Sequence, residues 1–139
     1  MSLSATKSLL ETLQIAEKAV SRERNRRLTA IGLTVAQAQI LTTLQSLGSL
    51  SLSALSDELP TDAPPSRVVS ALVRRKLVTR RDQASDRRNV EIALSVSGRK
   101  KIREIRRIDQ AVNRWATRKL QRMPIKSAQK ALAALGEDS

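Results

Sequence analysis

Residues 77–98 read LVTRRDQASDRRNVEIALSVSG. Two apolar runs, Leu77-Val78-Thr79 and Val90–Leu94, flank a loop that holds Arg81, Asp82, Asp86, Arg87 and Arg88. The second run alternates, with Val90, Ile92 and Leu94 on one side and Glu91 and Ala93 on the other. That is the two-residue period of a half-buried strand. The Gln83–Asp86 segment between the runs has the polar composition of a turn. The stretch therefore reads as a short β-hairpin with Arg87 and Arg88 at its tip. Such a narrow cationic finger suits a DNA minor groove, where arginine meets strong negative potential. A hairpin whose charges simply rest in water fits the same residues, so the flanking segments decide.

Toward the N-terminus lie three segments with helical periodicity and short connections. Residues 34–47 place Ile40, Leu41, Leu44 and Leu47 on one stripe, with Thr34 as N-cap and Gly48 where a left-handed C-terminal cap is expected. A short helix from about Ser53 to Leu59 follows, capped by Ser53, with Leu55 and Leu59 inward and Pro60 ending it. The third runs from about Ala63 to Lys76, with Val68, Val69, Leu72 and Val73 inward and Arg67, Ser70, Arg74 and Arg75 outward. Thr61 or Asp62 can cap it, and Pro64-Pro65 are tolerated because first-turn amides have no helical acceptor to lose. Two helices in tight succession, the second presenting arginine and serine, form a helix-turn-helix pattern. Such pairs also occur as plain packing units. Followed at once by a basic hairpin, the pattern becomes a winged helix.

With these residues in view the chain resembles the MarR family of transcriptional regulators. The resemblance rests on Gly32-Leu33-Thr34 with Gln37 and Leu41, on Leu55-Ser56-Asp57-Glu58-Leu59, and on Arg67 with Leu72–Arg75 leading into Leu77–Arg80. It is carried most specifically by Asp82 followed by Asp86-Arg87-Arg88, then Leu94 and the Ser97-Gly98 pair. It implies a homodimeric winged-helix protein on palindromic operators, usually a repressor, often released by a small molecule or oxidant. Two departures stand out. Lys76 occupies the place of a glycine that closes the recognition helix in the family; a left-handed lysine there costs on the order of 1 kcal/mol. Pro64-Pro65 replace small polar and β-branched residues in the first turn of that helix. Ser95 in place of the usual threonine is a milder change.

Length and composition agree. The chain of 139 residues suffices for one domain with its own core. No stretch is long enough to span a membrane and Met1-Ser2-Leu3-Ser4 opens no secretory signal, so a cytoplasmic location is expected. Cysteine and histidine are both absent. That removes a thiol sensor, zinc in its usual ligand set and nucleophile–histidine catalysis. No enzyme activity, metal or cofactor is expected. The net charge is +13, from 26 Lys+Arg against 13 Asp+Glu, and much of the excess lies in residues 99–123. A polyanion partner follows, and double-stranded DNA fits better than RNA because Trp115 is the sole aromatic residue. The bland alternative is that Arg99, Arg103, Arg106, Arg107, Arg114 and Arg118 are only the wet face of a long helix.

That helix, about Ser97 to Arg122, carries Ile102, Ile105, Ile108, Val112 and Trp115 on one stripe, with Trp115 read as core or dimer interface. A last helix after Pro124 bears Ile125, Ala128, Leu132 and Leu135. The first helix offers Leu9, Leu10, Leu13, Ala16 and Val20 before the charged Arg22–Arg27. These stripes exceed what the winged-helix core can cover, so packing against a second copy is expected. The expected fold is mainly α, a helix-turn-helix with a β-hairpin wing (residues 34–98) flanked by dimerisation helices (1–33 and 99–139). The expected function is sequence-specific DNA binding by a homodimer. Ser66, Arg67 and Ser70 would lie near base edges, Arg74 near phosphate, and Arg87 and Arg88 in the minor groove, oriented by Asp86. An architectural DNA-binding protein without a defined operator and a protein-interaction winged helix are the alternatives. In the family, a pocket between dimerisation helices and DNA-binding lobe often holds aromatic ligands. Here only Leu, Ile, Val, Ala, Arg and Trp115 can line it, so a weak response to phenolic effectors such as salicylate is expected.

Overall fold

The computed structural model describes residues 2–59, 64–83 and 86–137, with the side chains of 83 and 86–89 outside that description. Helix α1 (Leu3–Ala30) starts at Ser2, whose hydroxyl accepts from the Ala5 amide. It closes when the Leu33 and Gly32 amides reach the Leu28 and Thr29 carbonyls, both at 2.9 Å. Gly32 supplies the positive φ, 75°, that this double closure requires. Helix α2 (Val35–Leu47) begins in a reciprocal capping box. The Thr34 hydroxyl accepts from the Gln37 amide, and the Gln37 side-chain carbonyl accepts from the Thr34 amide, each at 3.1 Å. Its buried face is Ala38, Ile40, Leu41 and Leu44. Leu47, expected on that stripe, is exposed. Gly48 has φ 79° but ψ −166°, so the chain straightens there instead of making a left-handed helical turn.

The straightening leads into β1 (Leu50–Ser51), which pairs with the wing as Leu50↔Ile92 and Ser51↔Glu91. Because Ser51 is held in the sheet, α3 (Leu52–Glu58) starts from it. The Ser51 hydroxyl, not that of Ser53 as expected, accepts from the Ala54 amide at 3.0 Å. Leu55 is fully buried and Leu59 partly so. Helix α4 (Pro65–Arg74) is shorter at both ends than the expected 63–76. The proposed caps Thr61 and Asp62, together with Pro60 and Ala63, lie outside the described residues. Pro64 holds the cap position without a side-chain bond. At the other end Lys76 adopts φ 61°. Its amide reaches the Val73 carbonyl at 2.9 Å and the Leu77 amide reaches Leu72 at 3.0 Å. Lysine thus performs the left-handed closure usually left to glycine.

Strands β2 (Val78–Gln83) and β3 (Asp86–Leu94) form the hairpin, and the sheet runs β1-β3-β2, antiparallel throughout. Both strands extend further than the apolar runs indicate. Arg81, Asp82, Asp86, Arg87 and Arg88 therefore belong to strands, not to the loop assigned from composition, since backbone pairing continues where side chains turn polar. Helix α5 (Val96–Lys119) crosses α1 and buries Ile102, Ile105, Ile108 and Val112, with Trp115 half-buried at the edge. Arg24 and Asp109 pair between these helices at 2.8 Å. Helix α6 (Ile125–Ala133) runs into a single 3-10 turn, Ala134–Gly136. Among the described residues the core holds no buried polar side chain, and no helix is long and apolar enough to cross a membrane. Leu9, Leu10, Ile15 and Val20 on α1, with Leu120, Met123, Ile125 and Leu135, stay exposed in the single chain.

The root of the wing is the tightest place in the fold. The Ser95 hydroxyl donates to the Lys76 carbonyl at 2.6 Å and accepts from the Gly98 amide at 3.0 Å, so it caps α5 and holds the end of α4 together. The Ser95 amide reaches the Leu77 carbonyl at 3.1 Å. A Cβ on Gly98 would lie 2.1 Å from that carbonyl oxygen. Two stability effects of opposite sign follow. Lys76→Gly relieves about 1–2 kcal/mol of left-handed strain against about 0.4–1 kcal/mol of added unfolded-chain entropy. A net gain of about 0.5–1 kcal/mol is expected from the two terms together. Gly98→Ala overpacks the junction and should lose about 1–3 kcal/mol. Urea denaturation midpoints of the two variants test both signs.

Candidate nucleic-acid interface

Helix α4 has two unlike faces because its apolar residues recur at helical spacing. Val69 and Leu72 are buried and Val68 and Val73 pack at the core margin. On the other side Ser66, Arg67 and Arg74 are exposed and Ser70 is half-buried. These four residues, all expected at the site, line one shallow hollow of about 410 Å³. Ser66, Ser70 and Arg74 follow each other at four-residue steps on one face. The Ser70 hydroxyl donates to the Ser66 carbonyl at 2.8 Å. Its lone pairs therefore face outward as acceptors, which suits the exocyclic amine of adenine or cytosine. Among the described residues no carboxylate forms an ion pair with Arg67 or Arg74. Their charge is available to a ligand.

Arg75, expected to point outward with Arg67 and Arg74, behaves differently. It stays exposed, but its Nη1 donates to the Gly32 carbonyl and lies 3.5 Å from Gln37 Oε1. The guanidinium thus closes the C-terminal end of α1, where free carbonyls carry partial negative charge. Lys101 acts alongside it, its ammonium 3.0 Å from the Ile31 carbonyl. Nothing local in the sequence marks these contacts, since each joins residues far apart in the chain.

In the wing, Arg81 stands opposite Glu91, and Arg80 Nε lies 3.8 Å from Asp82 Oδ1 with both side chains largely exposed. Such a pair contributes only about 0–1 kcal/mol. The register runs regularly from Val78↔Leu94 to Asp82↔Val90 and then shifts to Gln83↔Asp86. Residues 87–89 of β3 therefore face a single step of β2, a bulge that adds local twist. Arg87 and Arg88 sit in this bulge instead of at the tip of a loop. The side chains of Asp86, Arg87 and Arg88 lie outside the described residues.

A winged helix preceded by a capped α2 and flanked by long helices is the arrangement that the comparisons recognise. The sequence model of the MarR family matches residues 33–90. The winged-helix lobe is similar in sequence to the MarR family. The whole chain has the same fold as solved MarR proteins. Wild-type apo MarR from E. coli superposes with a TM-score of 0.78 at 19% identity, covering 91% of this chain and 95% of the other. YusO from Bacillus subtilis gives 0.77 at 23% identity with 100% of both chains covered. A MarR family protein from Bacillus stearothermophilus gives 0.76 at 21% identity, covering 99% and 97%. No curated protein matches the chain.

A second hollow, about 530 Å³, opens between α1 and α5 beside the winged-helix lobe. Arg26, Arg27 and Arg107 bring positive charge and Glu104 a carboxylate, while Ala30, Ile31, Ile108 and Ala111 form its apolar wall. Glu23 accepts from Arg26 at 2.6 Å and from Arg27 at 2.9 Å. The bond from Arg26 leads in holding the Glu23 carboxyl below its ordinary pKa, Arg27 assists, and desolvation opposes both. Trp115 does not line this hollow.

The different engagements of Arg74 and Arg75 predict different losses. Arg75→Ala removes a charge-assisted bond to a backbone carbonyl and should cost about 1 kcal/mol in stability. Arg74→Ala, with no ion-pair partner among the described residues, should stay within about 0.5 kcal/mol of the parent. Thermal or urea unfolding of the pair decides, and equal losses would contradict the assignment.

Proposed function

We propose that the protein is a homodimeric, operator-specific DNA-binding regulator of the MarR type, acting as a repressor. The observation that carries this is the Ser66–Arg67–Ser70–Arg74 face of α4, set beside a basic hairpin and, among the described residues, without a carboxylate partner. In this reading α4 enters the major groove with Ser66, Arg67 and Ser70 toward base edges and Arg74 toward phosphate. Arg87 and Arg88 enter the adjacent minor groove and Asp86 orients them by charge-assisted bonds. Residues 34–98 form the DNA-binding lobe. Residues 1–33 and 99–139 form the dimerisation region, where exposed Leu9, Leu10, Val20, Leu120 and Ile125 meet a second copy. Two-fold symmetry then sets the half-sites about one helical turn apart.

A genomic footprint of the purified protein tests operator specificity, and sedimentation at micromolar concentration should show twice the chain mass. On the footprinted site, Arg67→Ala and Arg88→Ala should each weaken binding by about 1–3 kcal/mol, with Arg67→Ala also relaxing base preference. Asp86→Ala should weaken binding although it removes a negative charge. Bulk electrostatics alone gives the opposite sign, so tighter binding by Asp86→Ala would reduce the wing to a patch of charge. Uniform binding to all DNA would favour an architectural protein instead.

The hollow between α1 and α5 supports an effector site for an anionic group with a small apolar body. Arg26 and Arg27 are held by Glu23 and Glu104 also lines the hollow, so Arg107 is the arginine left for the anion, beside short aliphatic walls with no aromatic ring to stack on. Calorimetry with salicylate should accordingly show weak binding at best. A low-micromolar affinity would show that stacking is not required there.

A further inference from the structure

Helix α5 is charged in a way that neither the core nor the operator face explains. Its two acids lie on the side that meets α1 or next to it: Asp109 pairs with Arg24 and Glu104 with Lys101, both at 2.8 Å. The exposed side chains from Arg99 to Arg118 are six arginines and Lys100, with Gln110, Asn113 and Thr117 between them. None is acidic and none is apolar. No carboxylate among the described residues pairs with any of these cations. Arg99, Arg103 and Arg107 follow at four-residue steps, as do Arg114 and Arg118, and like charges at that spacing destabilise a helix. The strip is therefore held against its own repulsion, which a polyanion would relieve. At 1.5 Å rise per residue it extends about 28 Å.

We propose that this strip is a second DNA surface, which takes a duplex other than the one on α4 and the wing, through its phosphates and without sequence preference. The term "second" rests on the operator reading above; the charge argument does not. Three observations favour duplex DNA. Guanidinium forks bind phosphate oxygens in pairs, and arginine predominates over lysine here. No aromatic side chain lies on the strip to stack an unpaired base. The exposed apolar residues suited to a second copy lie elsewhere, on α1, α6 and the α5–α6 turn, so the strip is left over when the dimer forms. Helix α5 starts at the wing root, and at 1.5 Å per residue Arg118 lies about 33 Å along its axis from that start. One dimer would thereby bridge two duplexes.

The test immobilises a short mixed-sequence duplex, saturates it with the full-length protein, and measures capture of a second, fluorescent duplex. The comparison protein carries Arg103→Gln, Arg106→Gln, Arg114→Gln and Arg118→Gln. Wild type should capture the second duplex. The variant should capture it at least about tenfold less well with a shallower salt dependence, since four phosphate contacts are lost. Its affinity for the first duplex should stay within about threefold and its sedimentation should be unchanged. Equal capture by both proteins, or none by wild type, overturns the proposal. An equal loss of the first duplex makes the strip part of the operator contact, and a changed mass makes it an interface between copies; either result also overturns it. Flotation of wild type with phosphatidylserine vesicles as firm as its duplex binding would overturn the commitment to DNA. An Arg67→Ala, Arg74→Ala double variant should still bind duplex through α5, which separates failure of this proposal from failure of the operator reading.

Discussion

The carbonyl of Leu77 is the point on which the winged-helix half of the molecule turns. The chain reverses at Lys76, leaves α4 and enters β2, and at that step the Leu77 oxygen accepts from the Ser95 amide while Gly98 leaves room for it. Ser95 completes the knot by bonding the Lys76 carbonyl and the first turn of α5 with one hydroxyl. Helix α4, the wing and α5 thus meet within a few residues, each unable to tilt without disturbing the others. Arg75 ties the same corner to the end of α1, and Lys101 ties α5 to it from the other side. A shift between the long helices would therefore reach α4 through these side-chain bonds to backbone carbonyls, without passing through the core.

Charge is sorted as deliberately as apolarity. Three of the five acids on α1 and α5, Glu23, Asp109 and Glu104, are engaged in ion pairs between helices or within a turn. The arginines of α4 and of the outer face of α5 lack such partners among the described residues. Inter-helix ion pairs at partly exposed positions contribute little to stability. Their larger effect is to keep negative charge off the surfaces left cationic. The net charge of +13 is thus concentrated on particular faces, and the outer face of α5 is one of them.

Much of this was legible in the residues because it is local. Apolar periodicity placed the helices, Thr34 announced its cap, and the alternation at Val90, Ile92 and Leu94 placed β3 with the correct faces. The four outward residues of α4 were readable from the same period. What escaped was set by partners distant in sequence. Two-residue β1 exists only because β3 is there to pair with, and it moves the cap of α3 from Ser53 to Ser51. The hairpin outgrew its apolar runs because backbone pairing does not require apolar side chains. Arg75 looked like a third outward arginine, and only the approach of Gly32 turned it into a structural residue.

The proline pair at the start of α4 ties these strands together. A recognition helix ordinarily offers phosphate the free amides of its first turn. Pro64 and Pro65 have no amide hydrogen, and the Arg67 amide is already bonded to the Pro64 carbonyl at 3.0 Å. Within that turn the Ser66 amide is the donor that remains. The anion-binding power that the backbone has given up must then come from side chains. Arg67 and Arg74 stand unpaired on the same face. Side-chain cations release counterions from DNA where neutral amides do not, so a helix built this way depends on salt more steeply than one that grips phosphate through its backbone. The arginine content of this chain and the prolines of its recognition helix are, on that argument, two sides of one exchange.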